Sequence, residues 1–356
     1  MAPVPTGTKI TLPAAADMHI HLRQGPMCDA VTKALVGTGV DTVYVMPNLV
    51  PPLTTVDMAV AYRDQLRALA PSINFLVTLY LSPELTPDEI RKAKKHGIAG
   101  VKSYPRGVTT NSDSGIEDYD VYYPVFKAME EEGLVLNLHG ECPSNAEANI
   151  TILNAEAKFL SHLEKLHRAF PKLRIVLEHA TTKAAVDLVQ RLGNTVACTI
   201  TVHHLFLTVE DWAGLPHGFC KPVAKTRAHP RFFLGTDSAP HRATQRSRAK
   251  APAGLFTALM PLVYLAHLFD VAAIPLDRLR GFASDFGRKF YGLPVPTKET
   301  VTLTKVDVAA AKGDAGTKVP AVFAVPRMLK DNGENVEVVP FLAGETIPWT
   351  LQVADK

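Results

Sequence analysis

Short apolar, β-branched runs alternate with polar stretches of helical period as far as residue 237. The first run, 12–16, leads into Asp-Met-His-Ile-His-Leu-Arg (17–23) and reads as a strand. A helix is predicted over 29–37, closed by glycine, then a strand over 40–46 ending in Pro47-Asn48. Helical period returns at 57–69 and a strand at 74–81. Thr86-Pro87-Asp88-Glu89 supplies an N-cap and a proline at the first helical position, and that helix stops at His96-Gly97. Strand 98–104 carries Lys102, and 105–118, rich in Thr, Ser, Asn, Asp and Gly, reads as a loop. Helix 119–132 ends at Gly133, and strand 134–138 runs into His139. A helical stretch over 146–169, strand 173–177 ending in Glu178-His179, helix 182–192, strand 195–202 and strand 231–235 ending in Thr236-Asp237 complete the series.

This is strand–helix alternation, which argues for a parallel sheet. Eight such repeats over this length argue for the α/β class as a (β/α)8 TIM-type barrel, over about residues 12–290. One repeat is irregular. Residues 203–230 contain Pro216, Pro222 and Pro230 and no amphipathic period, so the seventh crossover helix is expected to be missing or shortened. A parallel crossover normally covers the sheet with a helix, so something else must cover that face. After Pro294 the rhythm changes, with short strands expected at 301–303 and 337–342. We read about 295–356 as a C-terminal appendage and 1–356 as a single domain.

Composition narrows the class. The chain has 356 residues, 47% hydrophobic and 21% charged, an ordinary soluble globular balance. The net charge of +3 is spread along the chain. Its nearest basic cluster, Arg242, Arg246, Arg248 and Lys250, has no interleaved aromatics, so nucleic acid is not an expected partner. Cys28, Cys142, Cys198 and Cys220 are far apart, which indicates neither a disulfide framework nor a cysteine zinc site and fits a reducing, cytoplasmic setting. The N-terminus lacks a signal-peptide layout. The apolar stretch 253–273 is interrupted by Pro261, His267 and Asp270, so a buried helix is expected there and no membrane partner.

The polar residues at strand ends change the picture most. His19, His21, Asn48, Lys102, His139, His179 and Asp237 all end apolar runs, at the face where barrel active sites sit. Strand alternation puts His19 and His21 on one face, with Ile20 on the other and Arg23 continuing beside the histidines as a planar fork for a carboxylate. By the same rule Glu178 falls on the face opposite His179, where a structural role is expected. The set suits two divalent metals: His19, His21 and Asp237 for the first, His139 and His179 for the second. Both sites stay short of four-coordination unless something bridges them. A lysine ammonium cannot ligate, but Lys102 carbamylated by carbon dioxide becomes an anionic ligand able to reach both metals. Metal binding brings the pKa of water down to about 7, making it a nucleophile. Asp237 would then shuttle its proton to a leaving nitrogen. His203, His204 and Cys220 are read as packing residues, with His204 the one that could face the pocket.

Several motifs extend the pattern: Val-Met-Pro-Asn (45–48), Gly-Val-Lys-Ser-Tyr-Pro (100–105), Thr-Thr-Asn (109–111) and Leu-His-Gly-Glu (138–141). Glu-His-Ala-Thr-Thr-Lys (178–183), Gly-Thr-Asp-Ser-Ala-Pro-His (235–241) and Phe-Leu-Ala-Gly-Glu-Thr (341–346) follow. With 17–23, these make the chain resemble the dihydroorotases of the amidohydrolase superfamily, the single-function type of bacteria and fungi. The resemblance implies reversible cyclisation of N-carbamoyl-L-aspartate to L-dihydroorotate in de novo pyrimidine (UMP) synthesis. It implies a metal-dependent hydrolase with two Zn2+ bridged by Lys102 as N6-carboxylysine. It further implies Arg23, Asn48 and His241 on the substrate carboxylate, and backbone groups near Lys221 and Ala253 on the ring amide. Thr109 and Thr110 would belong to a lid, and the chain would form a homodimer. Relatives carry a helix where residues 222–231 are short, so impaired activity or stability is expected. Two other readings stand beside this one. A different cyclic amidohydrolase, a hydantoinase or allantoinase, is disfavoured by the Arg23–Asn48 pair. A catalytically silent scaffold is suggested by the defective crossover and opposed by the intact ligand set.

Overall fold

The protein, as a computed structural model, is described for residues 4–112, 115–214, 219–223, 232–246, 251–308, 316–329 and 335–354. In chain order its first elements are β1 (Lys9–Leu12), β2 (Ala15–Ile20), α1 (Gly25–Lys33), β3 (Val40–Val45), α2 (Val56–Leu69), β4 (Asn74–Tyr80), α3 (Pro87–Lys95) and β5 (Gly100–Ser103). Then come α4 (Tyr123–Glu132), β6 (Val135–His139), α5 (Ala155–Ala169), β7 (Arg174–Glu178), α6 (Lys183–Leu192), β8 (Val196–Ile200), α7 (Val202–Phe206), α8 (Val209–Gly214) and β9 (Phe233–Leu234). Strands β2 to β9 form one eight-stranded sheet in chain order, each neighbouring pair parallel. The fold is the (β/α)8 barrel that the alternation predicts.

Local chemistry explains the element boundaries. Thr55, Thr86 and Thr182 cap α2, α3 and α6, their side chains accepting from the backbone N–H of Met58, Glu89 and Ala185. Gly133, at φ 68°, ends α4 in the left-handed region that costs glycine least. The strands are buried on both faces, as parallel strands under helices must be. One face packs on the helices. The other contributes Ala16, Met18, Tyr44, Met46, Val135, Val176 and Phe233, a separate cluster filling the barrel interior. Several boundaries differ from the sequence reading: α4 starts at Tyr123 after a 3-10 turn, and α1 ends at Lys33, short of the glycine at 37 expected to close it. Helix α1 starts at Gly25, because Pro26 sits in the favoured first-turn position. Helix α5 starts at Ala155 instead of 146, because Asn145 and Asn154 turn the preceding chain on itself through hydrogen bonds to the backbone N–H of Ala148 and Thr151.

The seventh connection needs a correction. It is not free of helix: Thr201 ends β8 and caps α7, accepting from the His204 N–H, and α8 follows. These helices have five and six residues, so no long crossover helix is present among the described residues. Residues 224–231, which hold most of the expected shortening, lie outside the described residues, as do Arg248 and Lys250 of the basic cluster.

The C-terminal region contains β10 (Val301–Lys305), β11 (Thr317–Lys318), β12 (Phe323–Leu329), β13 (Asn335–Val338), β14 (Thr346–Ile347) and β15 (Trp349–Val353). The sequence indicated two of these. Of the others, β11 and β14 have two residues each and β12 pairs with its neighbour β13, while β15 pairs with β10, which also pairs with β1, so both ends of the chain share one antiparallel sheet. The helix over Pro261–Val271 is buried, and among the described residues no helix is long and apolar enough to cross a membrane.

The barrel closes where β9 returns to β2. The Asp237 N–H donates to the His19 carbonyl at 2.8 Å and the His21 N–H to the Ser238 carbonyl at 3.0 Å. Below them, the buried Asp17 carboxylate accepts from the Thr236 N–H at 2.8 Å and the Thr236 hydroxyl at 2.6 Å. Burial raises the Asp17 pKa to about 6 against the pull of those hydrogen bonds. Replacing it strands a buried N–H and a hydroxyl at the seam. Asp17→Ala is therefore expected to lower the free energy of unfolding by about 2–3 kcal/mol, measured by urea denaturation, with Asp17→Asn milder. A change within error would show that the seam does not depend on this carboxylate.

Candidate metal centre and substrate cavity

The strand ends bring His19, His21, Lys102, His139, His179 and Asp237 into one buried group. Ring centroids are 5.3 Å apart for His19–His21, 5.2 Å for His19–His179 and 4.6 Å for His139–His179. The Nε2 atoms of His19 and His21 lie 3.4 and 3.0 Å from Asp237 Oδ1. These three side chains offer ligand atoms within 4.8 Å of one another. Arg23, His179 and Asp237 have φ of 65°, 42° and 48°, left-handed values that L-residues seldom adopt. Such strain persists where surrounding structure enforces it and is common at functional sites.

The outward ring nitrogens are tied down. His19 Nδ1 lies 2.7 Å from Glu178 Oε2, His21 Nδ1 2.8 Å from Asn48 Oδ1, and His139 Nε2 2.8 Å from Glu141 Oε2. The acceptors at His19 Nδ1 and His139 Nε2 place the proton there and leave the other nitrogen to present its lone pair inward, whereas His21 meets an acceptor at both nitrogens, Asn48 Oδ1 and Asp237 Oδ1, a demand that one proton cannot satisfy and that a cation between Nε2 and Asp237 would relieve. This is how metal-binding histidines are oriented by their neighbours. Glu178 therefore corrects the sequence reading. It does not point away from the site: its Oε2 accepts from His19 and from the Thr199 hydroxyl at 2.6 Å, and its Oε1 from Asn137 Nδ2 at 2.6 Å. Simple alternation misplaces it because the left-handed turn at His179 aims two successive side chains inward. Glu141 and Asn137 were also missed. Their signal was the spacing, two residues to either side of His139, inside or beside a motif already singled out.

The electrostatics favour neutral imidazoles around buried carboxylates. Burial lowers the His21 pKa to about 4 despite Asp237. It holds His139 below its ordinary value and, with His139 and Lys102 adding repulsion, His179 well below. Burial would raise Asp237, but His19 and His21 outweigh it and keep the carboxyl far below the usual range. Lys102 is brought down to about 8 by burial, against the attraction of Glu178 and Asp237. Its Nζ has no hydrogen-bond partner among the described residues, nor has His179 Nδ1. A buried amine without a partner is costly, so this position fits a group that gains ligands from something bound.

Beside the cluster lies a small cavity. His21, Arg23, Asn48 and Asp237 line it. Thr109, Thr110, Lys221 and Ala253 complete the set of predicted residues that line it. The loop that carries Thr109 and Thr110 is bonded to Asn48: Asn48 Nδ2 donates to the Thr110 carbonyl at 3.0 Å, and Asn111 Nδ2 to the Asn48 carbonyl at 2.9 Å. Asn48 thus spans His21 and that loop, besides lining the cavity. His241 Nε2 stands 3.0 Å from Arg23 Nη2 and 2.9 Å from the Ala253 carbonyl. One nitrogen cannot accept from the first and donate to the second at once.

His203, His204 and Cys220 form a second buried group with metal-ligand atoms close together. The His204 ring is already engaged, however, by the Thr201 hydroxyl and the Pro222 carbonyl, which supports the packing reading.

Comparison with known proteins agrees with this geometry. A family model described as amidohydrolase matches residues 37–229. The dihydroorotase of Mycosarcoma maydis is 47% identical over 388 aligned positions, covering 96% of this chain and 98% of the relative. The probable dihydroorotase of Schizosaccharomyces pombe is 44% identical, covering 96% of this chain and 98% of the relative. The crystal structure of dihydroorotase from Saccharomyces cerevisiae in complex with 5-fluoroorotic acid matches with a TM-score of 0.87 and 40% identity, covering 98% of this chain and 99% of that one.

Glu178→Gln keeps the shape of the carboxylate that orients His19 and removes its charge. Divalent-metal affinity is expected to fall about 10- to 100-fold, read by competition with a chromophoric chelator. Unchanged affinity would mean that His19 does not rely on Glu178.

Proposed function

Because the chain belongs to the dihydroorotase family of amidohydrolases and is a hydrolase acting on a cyclic amide, we propose that it interconverts L-dihydroorotate and N-carbamoyl-L-aspartate in pyrimidine synthesis, at a two-zinc centre. The observation that carries this reading is the convergence of His19, His21 and Asp237 beneath a cavity walled by Arg23.

The donor set fits zinc: imidazoles oriented by buried acceptors, a carboxylate kept ionised, and a buried amine with no hydrogen-bond partner among the described residues. His19, His21 and Asp237 would hold one ion, His139 and His179 the other, and Lys102 would bridge them as a carbamate. With its pKa near 8, Lys102 has a neutral fraction at neutral pH. Its nitrogen lone pair can add to the carbon of CO2 as the amine proton leaves. Bound there, the metals would polarise the ring carbonyl and bring water to a pKa of about 7.

The protein's own groups do the rest. Arg23 and His241, with its proton on Nε2, would both donate to the substrate carboxylate, which resolves their conflicting demands on one nitrogen. Asn48 would add a donor when its Nδ2 leaves the Thr110 carbonyl. Backbone groups at Lys221 and Ala253 would hold the ring amide, and Thr109 and Thr110 would exclude water as the loop closes. Asp237, low in pKa and beside the attacking position, would take the water proton and deliver it to the ring nitrogen as the C–N bond breaks.

Loss of L-dihydroorotate absorbance in zinc- and bicarbonate-supplemented protein tests this. Turnover is expected, with Asp237→Ala and Lys102→Ala each lowering kcat by about 10³-fold or more. Turnover of hydantoin in preference to dihydroorotate, or zinc-loaded protein that turns over neither, would overturn the proposal.

A further inference from the structure

We propose that His204 is a positioning residue for the substrate: its ring pins the short segment that brings Lys221 to the cavity. The inference rests on the dihydroorotase reading and concerns residues 219–223, which leave the shortened seventh connection and enter the cavity wall. Lys221 lines the cavity, while Cys220, Pro222 and Val223 are buried around it. On one side the Phe219 carbonyl accepts from the Gly254 N–H at 3.1 Å, and Gly254 itself lines the cavity beside Ala253. On the other side the Pro222 carbonyl lies 2.7 Å from His204 Nε2.

The His204 ring is set by its neighbours. A carbonyl can only accept, so Nε2 carries the proton. Nδ1 therefore presents a lone pair, which accepts from the Thr201 hydroxyl at 2.8 Å. That hydroxyl in turn accepts from the His204 N–H at 2.9 Å. The three bonds are mutually consistent and buried, with His204 3% exposed. They link the end of β8, a barrel strand, through Thr201 and His204 to the residue after Lys221. A long crossover helix could brace such a segment; here two short helices stand in the connection, and a side chain makes the link. The same bonds occupy both ring nitrogens of His204, one member of the His203–His204–Cys220 group, without a metal. Nε2 carries the proton that it donates to the Pro222 carbonyl, so it has no lone pair for an ion, although Cys220 Sγ lies 3.5 Å away.

A segment free to drift would cost substrate binding more than chemistry, because the reacting groups sit on other strands. The test uses the full, zinc-loaded chain and L-dihydroorotate kinetics. His204→Ala is expected to raise KM about tenfold with kcat within about threefold and zinc per chain unchanged. His204→Gln, whose amide N–H reaches as far as imidazole Nε2, should return KM to within about threefold of the parent. His204→Asn, whose donor stands where Nδ1 stands, should behave like the alanine variant. An unchanged KM in His204→Ala overturns the proposal, as does a joint loss of kcat and zinc, which would place His204 in the metal centre. If the alanine variant does not fold, the glutamine and asparagine variants decide, and equal KM values overturn it. A parent chain without turnover sinks the functional reading instead. In that case amide exchange across 219–223 decides: it must be faster in a folded His204 variant lacking the Nε2 donor.

Discussion

Two carboxylates, Asp237 and Glu178, are buried at the mouth of the barrel, and the surrounding structure is an answer to that cost. Burial strips both of most of their hydration. An unpaired buried charge is among the most destabilising features a fold can carry. Asp237 is balanced by His19 and His21, and Glu178 by His19, Thr199 and Asn137. Burial lowers the pKa of His21, His139 and His179 and so opposes a proton on those rings. Such a set favours a bound cation at its centre over a proton on any one ring.

The same residues close the barrel. His19 and Asp237 exchange a backbone hydrogen bond across the last seam, and Asp17 anchors Thr236 immediately before Asp237. Stability of the seam and geometry of the site are thus coupled. A buried polar chain extends this coupling into the barrel interior, from the Tyr44 hydroxyl through Asn137 and Glu178 to His19. Its members are fully paired, which is the condition under which a buried network adds rigidity at little cost.

Much of this was legible in the sequence, because strand ends are marked twice, by the close of an apolar run and by a residue type able to ligate a metal. His19, His21, Lys102, His139, His179 and Asp237 all fall together as read. What resisted reading was whatever local pattern does not encode. Glu178 was assigned to the wrong face because alternation holds only while φ stays extended, and His179 departs from that at 42°. The roles of Asp17, Asn137 and Glu141 depend on partners in other strands or on side-chain direction. Among the C-terminal strands, β11 and β14 were unseen because two residues show no alternation, and β15 because it pairs with the distant β10; β12, paired locally with β13, was missed as well. The seventh connection looked empty because its helices are too short to show a period.

The most direct measurement of the central claim is native mass spectrometry of the zinc- and bicarbonate-treated chain. The account requires the mass of the polypeptide plus two zinc ions plus one carbon dioxide, with the carbon dioxide absent from Lys102→Ala. A chain that binds one zinc or none, or two zincs with no carbon dioxide adduct, would contradict a bridged pair at the barrel mouth.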